Sequence, residues 1–517
     1  MLAKVTAATI VGIEALSVEV EVDVGLGLSH VVVVGLPDAA VKESRDRVKS
    51  AITNSGFFHP ERRITVNLAP ATIKKEGPLF DLPIALGMLA ASEQLSSQCL
   101  RDFLIVGELA LDGSLRPVRG ILPLAEAAKS QKARGILVPQ ENAKEASVIS
   151  KTKVYGIRTL QDAVNFLEGK LSLAPTQPQS QAISDSDDLE LDIDFSDVKG
   201  QEAAKRALEI AAAGGHNILM LGDPGSGKSM LAKRIPTILP PLTHEESIET
   251  TKIHSICGLI KTDAPLIKQR PFRSPHHTIS DIGLIGGSVN PSPGEVSLAH
   301  HGVLFMDELP EFKRSTLEVL RQPLEDGQVT ISRASGTLTF PSRFMFVAAM
   351  NPTPTGSKHD TSLGRISHQV VQKYLSKISG PLLDRIDIHL EVPSLKLNQL
   401  LDAKPSEPSR VIRQRVIQAR ERQLKRLASK KSHQKSSWCN AQMSSKDIKK
   451  WIHLDRECQE LLKFAMKDLQ LSARAYDRIL KVSLTIADLE ACDSISPDHL
   501  SEAIQYRTLD RQLWGQE

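Results

Sequence analysis

Asn217–Leu239 reads NILMLGDPGSGKSMLAKRIPTIL, an apolar strand, a glycine-rich turn and then an amphipathic helix. The turn, Gly222-Asp223-Pro224-Gly225-Ser226-Gly227-Lys228-Ser229, is a complete GxxxxGK[ST] loop in the strand-to-helix setting that this motif requires. Its glycines let backbone N–H groups turn inward around phosphate oxygens, and the helix N-terminus adds a favourable dipole. The pattern predicts an ATP site in which Lys228 reaches the β and γ phosphates and Ser229 ligates Mg²⁺. It also predicts an α/β fold around a parallel sheet.

Downstream, Gly302-Val303-Leu304-Phe305-Met306-Asp307-Glu308 is an apolar strand ending in two carboxylates. Alone, that is an ordinary strand running into a solvated turn. Behind a phosphate loop it reads as the second half of a nucleotide site, with Asp307 holding Mg²⁺ and Glu308 polarising the attacking water as general base. The strand FMFVAAM ends at Asn351, which either begins a turn with Pro352 or stands where a parallel sheet delivers side chains to its ligand crevice. Arg385, in LLDRID, lies between Asp384 and Asp387. It is either a local ion pair or an arginine finger that stabilises charge on the transferring phosphoryl group.

Around this site the 517-residue chain predicts about three domains. Residues 1–170 alternate strand-like and helix-like stretches, among them SHVVVVGLP, RRITVNLAP, DFLIVGELAL and RGILVPQ. Residues 171–194 form a Pro-, Gln- and Ser-rich linker that turns acidic. Residues 195–395 hold the ATP site, and residues 396–517 read as helices, with N-caps at Ser444 and Ser496. The net charge of +3 is a cancellation: Arg410–Lys435 carries ten bases and one acid, a local +9 that leaves −6 for the rest. That block is either a solvated amphipathic helix or a phosphate-neutralising surface. Aromatics are 4%, too few for base-stacking sheets. Five isolated cysteines, no signal-peptide pattern and no apolar run of about 18 residues predict a cytoplasmic protein without disulfides or a membrane span.

With these motifs in order, the chain resembles AAA+ ATPases of the helix-2-insert branch. Closer still, Arg270–Phe312 (RPFRSPHHTISDIGLIGGSVNPSPGEVSLAHHGVLFMDELPEF), Lys377–Pro393 and Leu471–Leu489 resemble the YifB/ComM family of magnesium-chelatase-like competence proteins. Gly107–Ala146 and Lys74–Leu89 resemble the proteolytic domain of Lon proteases, which use a Ser nucleophile and a Lys. Here those positions are Leu79 and Leu122, so the resemblance implies a Lon-like fold without peptidase chemistry, used for binding or assembly.

The resemblance further implies that Asn351 is the sensor-1 residue, that Arg385 is offered to a neighbouring subunit's ATP, and that Arg474 is the sensor-2 arginine of a helical lid. It implies a homo-hexamer, stabilised by nucleotide or DNA, and a helicase that drives branch migration on single-stranded and branched DNA during natural transformation. Arg333, in the hairpin-like Gly327–Phe340, is a candidate phosphate contact or an ordinary solvated charge. A chelatase motor and a protein-remodelling ATPase are the alternatives. Relatives carry a cysteine-rich segment after Asn351; Thr353–Asp360 has no cysteine, which predicts no zinc there. The pairs His276-His277 and His300-His301 are expected to point to opposite faces, and to be structural or to shape the insert loop rather than hold a metal.

Overall fold

The computed structural model describes residues 1–149, 152–177, 193–261, 264–287, 291–333, 336–356, 367–394, 406–427 and 439–509. The chain divides into two compact units, Met1–Ser184 with His244–Ile267, and Asp185–Thr243 with Lys268–Glu517.

The first unit begins with β1 (Leu2–Val11) and β2 (Glu14–Gly25), antiparallel from Leu2 opposite Asp23 to Val11 opposite Glu14. Along β2, Val18, Val20, Val22 and Val24 are buried while Glu19 and Asp23 are exposed, the period of two that a half-buried strand requires. With β3 (His30–Val34), β4 (Arg63–Ala69), β5 (Phe103–Ile105), β8 (Gly135–Pro139) and β9 (Val154–Ile157), these strands build a seven-stranded mixed sheet ordered β3-β4-β2-β1-β5-β8-β9, while β6 (Glu108–Leu109) and β7 (Leu115–Arg116) form a separate small antiparallel hairpin. The helix Asp81–Ala91 is buried at every residue. Being apolar all round it shows no 3.6-residue stripe, so the sequence pattern does not reveal it. Leu79 and Leu122 both lie in the hydrophobic core, 7% and 0% exposed, with no nucleophile or base at either position.

The segment His244–Ile267 packs with this unit, although it follows the phosphate-loop helix in sequence. Lys252 on its helix His244–Ile256 pairs with Glu126 of the helix Ile121–Ser130. Gly120 N donates to the Ser255 carbonyl at 3.0 Å, and Ser255 Oγ donates to the Glu145 carboxyl. Burial pushes the Glu145 carboxyl up to about 7.

The second unit is built on a parallel sheet of β10 (Ile218–Leu221), β11 (Phe272–Arg273), β12 (Val303–Met306), β15 (Met345–Met350) and β16 (Ile388–Glu391), ordered β11-β12-β15-β10-β16. Fully apolar strands such as VLFM and MFVAAM suit a sheet covered on both faces. A separate antiparallel hairpin joins β13 (Gln328–Arg333) to β14 (Gly336–Pro341). The C-terminal helices Ser409–Leu427, Ser445–Trp451, Arg456–Asp468, Ala473–Leu489 and Pro497–Gln505 share one core with the sheet and the helix Glu202–Gly214. Ser444 and Ser496 cap their helices as the sequence predicts, each in a reciprocal capping box, with Asp447 and His499. Residues 178–192 of the linker lie outside the described residues. The acids that follow are anchors: Asp194 accepts from Ser409 N at 3.1 Å, and Asp197 from Arg234 at 2.8 Å.

Candidate nucleotide site

Parallel strands in register deliver their ends to one edge. Leu221 pairs with Met350 and Met306 with Ala348, so Gly222, Asn351 and Asp307 all emerge at the C-terminal edge of the sheet. Gly225 and Gly227 sit at φ +78° and +94°, which only glycine adopts cheaply, and Gly227 opens the helix Lys228–Ile238. A Cβ at Gly222 would lie 2.3 Å from the Val392 carbonyl oxygen, so close approach of the backbone also demands glycine there.

Lys228 Nζ donates to the carbonyls of Gly222 (2.7 Å) and Asp223 (3.0 Å) and to Asn351 Oδ1 (3.2 Å). Burial holds its pKa below the ordinary lysine value against the opposing fields of Asp307, Asp223 and Glu308. Among the described residues this buried cation is bonded only to uncharged oxygens, at the start of a helix, an arrangement that fits a polyanion. Ser229 Oγ lies 2.5 Å from Asp307 Oδ2, so two oxygens of the kind a hard divalent cation takes are already together. Glu308 follows at φ 51°, a rare conformation for a residue with a side chain, and its side chain is 55% exposed at the mouth of the site.

Two contacts escape a reading of motifs. Gln201, itself at φ 61°, donates to the carbonyls of Ser226 (3.3 Å) and Pro393 (2.6 Å), tying the phosphate loop to the end of the sheet. His277 Nδ1 lies 3.8 Å from Glu308 Oε2. Nothing in the spacing of either residue signals these partners.

The structure does not bring Arg385 and Arg474 to this edge. Arg385 precedes β16, and its carbonyl accepts from Asn217 Nδ2 at 2.9 Å, just before β10 begins. About 13 Å of strand separates that end from the phosphate loop. Arg474 Nη1 stands 3.8 Å from Asp384 Oδ2 and so shares this opposite end. Between them Asp387 is buried, accepting from Asn217 N at 3.0 Å and paired with Arg478 at 2.7 Å. Arg478 and His216 hold its carboxyl well below the usual carboxylate range despite burial.

Arg333 ends β13, exposed, opposite Gly336; Ala334 and Ser335 lie outside the described residues. Five of the ten bases in the block are paired within the chain, while Arg410 and Lys425 are exposed. Arg415 pairs with Glu209 and Glu407, Arg422 with Asp493 and Arg426 with Asp488. Arg413 and Arg420 donate to the carbonyls of Thr237 (2.8 Å) and Ala212 (2.7 Å). These cations fasten the helix Ser409–Leu427 to its neighbours; Lys430, Lys431 and Lys435 lie outside the described residues.

The histidine pairs depart from expectation. The His276 and His277 rings are 4.1 Å apart and those of His300 and His301 3.9 Å apart, so neither pair splits to opposite faces. Both sit in turns rather than extended chain, with His301 at φ 57°.

A phosphate loop, an acidic strand end and a polar side chain on one edge of a β11-β12-β15-β10-β16 sheet, with C-terminal helices sharing its core, define an AAA+ P-loop ATPase. Family models agree: "Magnesium chelatase, subunit ChlI" matches residues 194–400, "Subunit ChlI of Mg-chelatase" residues 20–142, and "Magnesium chelatase, subunit ChlI C-terminal" residues 406–507. The chain is 46% identical over 507 residues to the "Competence protein ComM" of Haemophilus influenzae, covering 97% of this chain and 96% of that one. It is also 46% identical over 504 residues, with the same coverage, to the "Uncharacterized protein YifB" of Escherichia coli. The chain belongs to the ComM/YifB family of magnesium-chelatase-like AAA+ ATPases. The "Magnesium-chelatase 38 kDa subunit" of Rhodobacter capsulatus is more distant, 24% identical over 254 residues that cover 44% of this chain and 69% of that one. Because a chelatase-named model matches residues 20–142, the first unit does not by itself set the chain apart from chelatase motors. Among the described residues no helix is long and apolar enough to cross a membrane.

Proposed function

We propose that the chain is the subunit of a homo-hexameric, ATP-driven motor that acts on single-stranded and branched DNA and promotes branch migration of incoming DNA during recombination. The observation that carries the ring is the division of the site: Lys228, Ser229, Asp307, Glu308 and Asn351 sit at one end of the sheet, and Arg385 and Arg474 at the other. A head-to-tail ring joins the two ends of neighbouring copies.

In this reading the loop amides and Lys228 bind the β and γ phosphates, and Ser229 and Asp307 hold Mg²⁺, which neutralises phosphate charge when bound. Glu308 orients the attacking water and takes its proton on a side-chain oxygen. Asn351 holds a polar contact beside Lys228, and a neighbour's Arg385 stabilises charge in the transition state, with Arg474 beside it.

The DNA assignment draws on the relative named a competence protein, and Arg333 is the proposed phosphate contact of the β13–β14 hairpin. ATP turnover tests it. Single-stranded or forked DNA raises the rate, while unfolded protein and porphyrin do not. Stimulation by unfolded protein alone would move the assignment to a remodelling ATPase, and stimulation by porphyrin with a partner subunit to a chelatase motor.

A further inference from the structure

Arg385 is not a free side chain. Its Nη2 is paired with the carboxylate of Glu325, and its Nη1 donates to the Pro381 carbonyl at 2.6 Å. Its Nε has no partner among the described residues, and the residue is only 9% exposed. A guanidinium held in this way within its own chain is unavailable to a neighbour's phosphates, so the contact has to break before the arginine can work in a shared site.

Glu325 is placed to control that break. It lies on the short helix Arg321–Asp326, and one residue, Gly327 at φ 64°, joins that helix to β13. Ser342 N donates to the Gly327 carbonyl at 2.9 Å, so the base of the whole β13–β14 hairpin closes on this joint. One residue and one hydrogen bond thus link the hairpin, which carries Arg333 near its tip, to the helix that holds Glu325. The carboxylate side chain is 60% exposed, so solvent can take over its hydration when the pair opens. Arg385 first, then Arg474 and Arg478, hold the Glu325 carboxyl below its usual range, which places it in the field of the arginines at this end of the sheet.

We propose that Glu325 is a positioning residue that holds Arg385 inside its own chain, and that hairpin movement on DNA withdraws Glu325 and releases Arg385 to the neighbouring subunit. This rests on Arg385 acting in the shared site described above.

The test is Glu325→Gln in the full-length protein, with Glu325→Ala as a second variant and a thermal melt confirming that each is folded. Removing one partly exposed pair is expected to raise the basal kcat for ATP about two- to five-fold at unchanged KM. The increase disappears in the Glu325→Gln, Arg385→Ala double variant, and DNA adds little to the rate of Glu325→Gln. A basal rate at or below wild type in both folded variants overturns the proposal, because Glu325 then orients Arg385 or merely anchors the helix. The basal arm does not depend on DNA: if DNA fails to stimulate the wild type, the motor assignment fails on that measurement alone. If Arg385→Ala keeps wild-type kcat, the shared-site assignment fails instead.

Discussion

Glu145→Gln tests how the segment His244–Ile267 is held to the first unit. The Glu145 carboxyl accepts from Ser255 Oγ and is pushed by burial from an ordinary 4.5 up to about 7. An acid whose folded pKa lies above its unfolded value keeps a proton in the folded protein that the unfolded chain has lost. Its contribution therefore turns against folding as pH rises from about 4.5 to 7, and the full penalty stands above pH 7. At about 1.36 kcal/mol per pKa unit, a rise of this size is worth about 3 kcal/mol, or about 2 to 3 kcal/mol once its partial exposure is allowed for. Glutamine keeps the shape and the acceptor but cannot ionise. Native-state hydrogen exchange of the helix His244–Ile256 in the intact protein reads the local opening. At pH 8.5 the Glu145→Gln protein should be protected about 30- to 150-fold more than wild type, and the difference should close toward pH 4.5. A ratio that stays constant from pH 5 to 8.5 would refute the reasoning, because a local opening that owes nothing to the Glu145 charge does not follow this titration.

Three further outcomes follow from the site and the lid. Glu308→Gln should keep nucleotide affinity while kcat for ATP falls by about two orders of magnitude or more; equilibrium binding and turnover measured side by side check this. Arg426→Leu leaves the buried Asp488 carboxylate without its cation, held among the described residues only by Asn440 Nδ2 at 2.8 Å, and should cost about 3 kcal/mol in chemical denaturation, yet leave the salt dependence of DNA affinity unchanged. Arg333→Ala should weaken DNA binding similarly across sequences and reduce the slope of log affinity against log salt by about one.

Much of the nucleotide site was legible because its chemistry restricts residue types at short spacing: glycines at positive φ, Lys228 and Ser229 opening a helix, Asp307 at a strand end. The helical caps at Ser444 and Ser496 were legible for the same local reason. What the sequence hid depends on partners brought together by the fold. The charge of the helix Ser409–Leu427 looked free because Glu209 and Asp488 lie far off in sequence. Glu325 and Arg385 are 60 residues apart, and no motif joins them. The helix Asp81–Ala91 was hidden by its burial on every side, since periodicity marks only a helix with one wet face. The histidine pairs misled because the expectation assumed extended chain, and a turn brings neighbouring rings together.

The central claim is that one chain supplies the phosphate loop and the next supplies Arg385. Lys228→Ala loses the first and keeps the second, and Arg385→Ala does the reverse. Each variant alone should be nearly inactive in ATP turnover. In a head-to-tail ring assembled at random from equal amounts of both, about a quarter of the sites pair an intact loop with an intact arginine. The mixture should therefore recover about a quarter of the wild-type rate per site, with the same KM for ATP. A mixture no more active than its two components, under conditions where the variants are shown to co-assemble, would contradict a site shared between subunits.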